Sequence, residues 1–304
     1  MLLRKNSLKI SRKADQETYQ KFSKRTAQRT AFSLLEISIV LVIISILTTI
    51  IISSTTLLKL AHLNSARNIT KSAVARDISG MILWLDAVSA ASFDDEFIED
   101  GDEVTNWNDI KSSHLEPYVA TQATAINKPI YHDNILNKLP AVTFDGVNDF
   151  LSIANFQANG YLTVFVVGQF VPAASFFIEQ SSDASSSNGF YFNGNGNAPT
   201  TVSRSSDSTN INNSGWFGER LGVAVMRYNG TNISYKLNNG AFINSADPDA
   251  TNNIVIDDLF IGARNGTSNF TNGNFGEIII YDRALTDNEV DKVVTYLDQK
   301  WDIY

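Results

Sequence analysis

The spacing of apolar residues changes twice along this chain. From Phe32 to Leu58 the sequence is nearly continuously apolar, FSLLEISIVLVIISILTTIIISSTTLL, with Glu36 its only charge. A helix of that length spans a hydrocarbon core of about 30 Å. Beyond Lys59, apolar residues recur at Leu60, Leu63, Ala66, Ile69, Ala73 and Val74. This three-and-four spacing predicts that the helix continues with one apolar stripe and ends near Gly80. Packing on the protein's own head and packing in a filament can both hold along this one helix.

From Met81 the period becomes that of strands. The predicted strands are 81–86, 141–145, 149–154, 161–170, 175–180, 189–194, 221–229, 233–239, 258–263 and 275–282. Linkers rich in Asn, Gly, Ser and Asp separate them, and Asp145-Gly146 and Asn239-Gly240 read as tight hairpins. Many short strands without intervening helices imply an antiparallel sandwich or barrel. One late helix is predicted over Thr286–Trp301. Thr286 and Glu289 have capping-box spacing, and Val290, Val293, Val294, Leu297 and Trp301 form a buried face.

Charge gives the chain a direction. Residues 1–31 hold nine Lys/Arg and two acids, a net of +7, which leaves −15 on residues 32–304 for a total of −8. A basic tail against an apolar run keeps that tail cytoplasmic and sends the residues after Lys59 across the membrane. The acidic body repels phosphate backbones, so no nucleic-acid partner is expected. With no cysteine, the fold must be held without disulfides.

The apolar run is too long for a cleavable export signal and no small-x-small cleavage site follows it, while a plain anchor would not need Glu36. A carboxylate in an apolar span costs about 2.5–3.5 kcal/mol on insertion scales and calls for a partner. The sequence Ala31, Phe32, Ser33, Leu34, Leu35, Glu36, following a basic leader, resembles the type IV pilin and pseudopilin family. The resemblance implies cleavage between Ala31 and Phe32 by prepilin peptidase, methylation of the new Phe32 amine, and an assembly role for Glu36. That amine, with a reference pKa of about 7.7–8.0, would pair with Glu36 of a neighbouring subunit. Alanine before the cut, where the family usually has Gly, and the 31-residue leader depart from the pattern. The implied partners are other pilin or pseudopilin subunits, the peptidase and the bacterial inner membrane. The chain would be single-pass, with a cytoplasmic N-terminus and a head that is periplasmic or on a surface filament.

Several phrases of the head, LWLDA (83–87), VTNWNDI (104–110), PAVTFDGVNDFL (140–151) and GEIIIYDRALTDNEVDKVVTYLDQKW (276–301), resemble the concanavalin A-like, laminin-G-like superfamily. The fold class expected is therefore mainly β: a membrane-inserted N-terminal helix, then a jelly-roll β-sandwich with adjacent first and last strands and a short C-terminal helix. The organisation expected is a leader at 1–31, a pilin-type helix at 32–79 (transmembrane about 32–58) and a sandwich at 80–304. Binding of carbohydrate or a surface protein is the role implied for the head.

Some enzymes of that superfamily place closely spaced acids on one strand. No Glu-x-Asp-x-Glu triplet occurs on a predicted strand here, and His62, His114 and His132 are scattered, so no catalysis is expected. The run DDEFIEDGDE (94–103) reads either as a solvated acidic loop or as a site for a hard cation. In the second reading calcium is the cofactor and Asp94, Asp95, Asp100 and Asp102 are its candidate ligands. Trp107 beside Asn106 and Asn108, Tyr191 near Asn193 and Trp216 near Asn213 are candidate sugar-binding residues, with core packing the competing role for each. Trp84 and Trp301 read as structural. The function expected is a minor pilin or pseudopilin-like subunit of a type IV pilus or type II secretion-like filament, displaying a lectin-like adhesion head. The alternatives are a purely structural subunit without a ligand and, more distantly, a glycoside hydrolase.

Overall fold

The computed structural model describes residues 33–94, 98–111, 117–158, 160–171, 175–180, 189–195, 198–201, 211–212, 220–246 and 257–304. The chain divides into two compact units, Met1–Leu57 and Leu58–Tyr304. The described part of the first is helical, the opening of helix α1 (Leu34–Lys71). Ser33 caps it: its Oγ accepts the Leu35 N–H at 3.1 Å, and its own N–H donates to Glu36 Oε2 at 2.8 Å. Side chains from Leu34 to Ile51 are largely exposed, Val40, Val42 and Ile46 among them.

The second unit takes in the last turns of α1, a 3-10 turn (Val74–Asp77) and the whole sandwich. The helix thus ends at Lys71, before Gly80, where the sequence places its end. Gly80, at φ +87, begins the turn into β1. The apolar stripe packs on the protein's own head: Ala66 and Ala73 are buried, and Leu63 and Ile69 lie against the same core.

One sheet contains β1 (Met81–Asp86), β4 (Ile130–Leu136), β5 (Leu139–Asp145), β7 (Leu162–Phe170), β12 (Gly222–Tyr228), β13 (Asn232–Leu237), β14 (Ile243–Ala246) and β16 (Asn272–Tyr281). Its order is β14-β13-β12-β7-β16-β5-β4, and β1 pairs with β16 beyond the stretch that β5 occupies. First and last strands are therefore adjacent, as expected. The other sheet contains β2 (Asn106–Asn108), β3 (Val119–Thr121), β6 (Leu151–Phe156), β8 (Ser175–Gln180), β9 (Phe190–Asn195), β10 (Ala198–Thr201), β11 (Ile211–Asn212) and β15 (Asp257–Ile261), in the order β11-β10-β9-β8-β15-β6-β3-β2. Every pairing between these strands is antiparallel, and helix α2 (Asp287–Trp301) follows β16. The expected mainly-β sandwich with a long N-terminal helix and a short C-terminal one is what the chain forms.

Strands β1, β7, β12 and β16 of the first sheet are buried on both faces. Leu83, Leu85, Val164, Val166, Ile278 and Ile280 pack into the core that also takes in Ile153, Phe177 and Ile261 of the second sheet. The alternate residues Trp84, Phe165, Val167, Ile279 and Tyr281 share a second core with α2 and the end of α1. Two-sided burial explains why these strands read as continuous apolar runs. Helix α2 fits this core through Val290, Val293, Val294, Leu297 and Trp301, each worth about 1.5–3 kcal/mol when fully buried. Gly276 makes room for it, since a Cβ there would stand 2.7 Å from Trp301 Cη2.

The two predicted hairpins fare differently. β13 and β14 do pair around Asn239-Gly240, with Asn238 taking the left-handed conformation at φ +51. Asp145-Gly146 is a turn of another kind, because β5 and β6 belong to different sheets and the chain crosses between them there. Gly146, at φ +77, leaves no space for a Cβ beside Asn272.

Candidate functional site

The segment after β1 folds back along that strand, and polar side chains hold it there. Asp109 Oδ1 accepts the N–H groups of Trp84 and Lys111, each at 2.9 Å, and Asn108 N–H donates to Ser92 O at 2.7 Å. In β2 the side chains alternate. Trp107 enters the inter-sheet core and is fully buried, while Asn106 and Asn108 turn the other way and donate to the two oxygens of Asp94. The Asn106 amide, then that of Asn108, holds the Asp94 carboxyl below the usual carboxylate range.

A cleft of about 610 Å³ opens beside this group. Asp94, Asp102, Glu103 and Asn106 supply its polar atoms, and Phe93, Ile98 and Val104 its apolar ones. Lys128 lies at the rim and pairs with Glu103 at 3.2 Å. Carboxylates and a side-chain amide next to apolar surface are groups that suit sugar hydroxyls and ring faces.

Of the predicted calcium ligands, Asp94 and Asp102 line this cleft and Asp100 does not, and each of the three is engaged by a partner of its own. Asp94 is held by the two asparagines. Asp100 Oδ1 accepts from Asp133 N–H at 3.1 Å and lies 3.0 Å from His132 Nδ1, and the contact with His132, ahead of that with Asp133, keeps its carboxyl below the ordinary range. Asp102 Oδ2 accepts the Glu99 N–H at 2.8 Å, closing a turn around Gly101. Asp95 lies outside the described residues. Among the described residues no group of three His, Cys, Asp or Glu side chains is arranged to hold a metal ion.

Of the predicted sugar-binding aromatics, Trp107 is a core residue and is corrected accordingly: in a strand flanked by outward asparagines, the middle side chain must point in. Tyr191 stands half-buried on β9, its ring 5.2 Å from that of Phe176. Trp216, Ala31 and Phe32 lie outside the described residues. Trp84 and Trp301 are buried, as the sequence suggests. Nothing in the sequence singles out Phe93 or Lys128, which reach the cleft through folding alone.

No protein-family model matches the sequence. A comparison with curated proteins likewise gives no match. Solved structures share the fold. An arabinofuranosidase complexed with arabinofuranosyl-alpha-1,2-xylobiose matches 66% of this chain and 51% of its own, at 14% identity and a TM-score of 0.50. Trypanosoma rangeli sialidase in complex with sialic acid matches 73% of this chain and 34% of its own, at 11% identity and a TM-score of 0.50. The chain thus spans about half the length of the first and a third of the second.

These matches correct one expectation. The sequence excluded catalysis because no acid triplet lies on one strand, yet the sandwich is one that glycoside-cleaving enzymes contain. The triplet tests a single arrangement, whereas a glycosidase pair needs only two carboxylates about 5–9.5 Å apart, from any strands.

Proposed function

We propose that this chain is a membrane-inserted, pilin-like subunit whose sandwich binds carbohydrate on the outer side of the membrane. The observation that carries the first half is helix α1. It is long and apolar enough to cross a membrane, a property that export signals share. Four of its hydroxyls also need no water: Ser38, Ser45, Thr48 and Thr49 each donate to a carbonyl three or four residues back, at 2.7–2.9 Å. Internal pairing of this kind is what a hydrocarbon surrounding demands. Glu36 sits in the first turn, where its carboxylate accepts the Ser33 N–H within the single chain. In a filament it would turn to the amine of a neighbouring Phe32.

The carbohydrate half rests on the cleft at Asp94 and Asn106. The ligands named with the two matched structures, an arabinofuranosyl xylobiose and sialic acid, suggest the sugar classes to try first. Two measurements test the reading. Intact mass of the membrane-extracted protein should give a chain beginning at a methylated Phe32; a retained Met1 or a cut after Leu58 would overturn the pilin assignment. Full-length protein in detergent should bind arabinose- or sialic acid-bearing glycans on an array, with and without calcium chelator, and Asp94→Ala should abolish the binding. No binding by folded protein in either buffer would leave a structural subunit without a ligand.

A further inference from the structure

Three charged side chains meet in the second core with no exposure to solvent. Lys300 Nζ lies 2.7 Å from Asp86 Oδ1 and 2.7 Å from Glu277 Oε2. Glu277 is held by three more donors: Trp84 Nε1 and Tyr296 OH reach Oε1, each at 2.7 Å, and Trp301 Nε1 reaches Oε2 at 2.8 Å. Asp86 has two further partners. Its Oδ1 accepts the Val88 N–H at 2.9 Å, and its Oδ2 lies 3.0 Å from Thr70 Oγ1. The rings of Tyr296 and Trp301 stand 5.8 and 5.2 Å from the Lys300 nitrogen.

An ion cluster of one cation and two carboxylates is expensive in such a place. Each charge loses its hydration, and together they leave an unbalanced negative charge in an apolar core. Burial, outweighing the opposing Lys300 charge, pushes the Glu277 carboxyl up, and Asp86 adds to the effect.

We propose that Lys300 and Asp86 condense into an intramolecular amide bond, with Glu277 as the proton carrier. A proton passes from the Lys300 ammonium to Asp86, leaving an amine whose lone pair attacks Asp86 Cγ. As the C–N bond forms, Glu277 takes a proton from Nζ and delivers it to the departing hydroxyl; the C–O bond breaks and one water leaves. Ammonium and carboxylate thus become an amide and water, and Glu277 ends as it began. No oxidant, cofactor or second substrate enters.

The surrounding donors suit each stage. Val88 N–H and Thr70 Oγ1 stabilise the oxygens on which charge develops during attack. Packing holds the two reacting groups in contact, so the step is effectively unimolecular. In the product, the amide N–H donates to Glu277 Oε2, and the remaining carboxylate keeps four donors on its two oxygens. The amide carbonyl takes the Thr70 hydroxyl. The bond joins the first strand of the sandwich to its last helix in a chain with no cysteine to do so.

Tryptic digestion of the denatured full-length protein decides the matter. Acylated Lys300 is not a cleavage site, so the expected product is residues 77–111 joined to residues 293–304, lighter than their sum by one water. Separate peptides 77–111 and 293–300 would overturn the proposal. Glu277→Gln should yield only the separate peptides while keeping the circular dichroism of the folded protein; joined peptides from that variant would overturn the role of Glu277. The wild-type digest remains decisive if the variant does not fold.

Discussion

Arg283 grips Glu289 with two prongs, Nη2 on Oε1 at 2.6 Å and Nη1 on Oε2 at 3.0 Å, just where helix α2 begins. Glu289 Oε2 also accepts the Thr286 N–H at 2.8 Å, and Thr286 Oγ1 accepts the Glu289 N–H in return, so ion pair and capping box share one carboxylate. Arg283 Nε donates to Ser79 O at 2.8 Å, which ties this helix start to the segment leading into β1.

That carboxylate makes stability depend on acid. The Arg283 guanidinium, then the Thr286 N–H, lowers the Glu289 pKa from 4.5 to about 2. A depressed acid contributes stability that is complete above its ordinary pKa and lost as pH falls through the folded value. Urea midpoints of the wild type should therefore drop between about pH 4.5 and 2 more steeply than those of Glu289→Gln. At pH 7, Thr286→Ala should cost about 1 kcal/mol.

Asp149 should show the opposite sign. Burial, working against the Asp145 N–H that its carboxylate accepts at 2.9 Å, raises it from 3.8 to about 6. The folded state holds this proton more tightly, so the contribution is full below about pH 3.8 and is lost as pH rises through 6. Asp149→Asn keeps an acceptor for the Asp145 N–H and should flatten the stability profile between pH 4 and 7; an unchanged slope would refute the assignment.

Core and surface aromatics should separate cleanly. Trp107→Ala leaves a large cavity between the sheets and should cost about 3–5 kcal/mol in urea unfolding. Tyr191→Ala loses one ring contact with Phe176 on a half-exposed strand, a loss of about 1 kcal/mol. If Trp107→Ala proved as stable as the wild type, its place in the core would be wrong.

Gly276→Ala drives a methyl group against the Trp301 ring, and the packed core offers no slack. A loss of about 1–3 kcal/mol is expected, read as a lower melting temperature with unchanged secondary structure.

Much of this architecture is legible in the chain because its signals are long or reciprocal. β1, β7, β8, β12 and β16 are predicted within three residues of their ends, since two-sided burial gives runs that no turn interrupts. The capping box at Thr286 and Glu289 needs two residues at one spacing, and both are present. β2, β3, β10, β11 and β14 are two to four residues long, too short to show any period. Trp107 misleads because its asparagine neighbours suggest an exposed loop, whereas alternation along a three-residue strand sends them out and the indole in. The grouping of Asp86, Glu277 and Lys300 cannot be read at all, since the first two lie 191 positions apart and only the pairing of β1 with β16 closes the gap.

The double burial of the first sheet bears on how this protein can diversify. Val166 and Val167 face different cores, so a change at either disturbs packing. In the second sheet β8 is buried throughout, but positions on other strands, such as Ser152 and Tyr191, alternate with buried neighbours and are only partly covered. Sequence change is therefore freest at those positions and in the loops bordering the cleft, while β1, β7, β12 and β16 are held to their residues by neighbours on both sides.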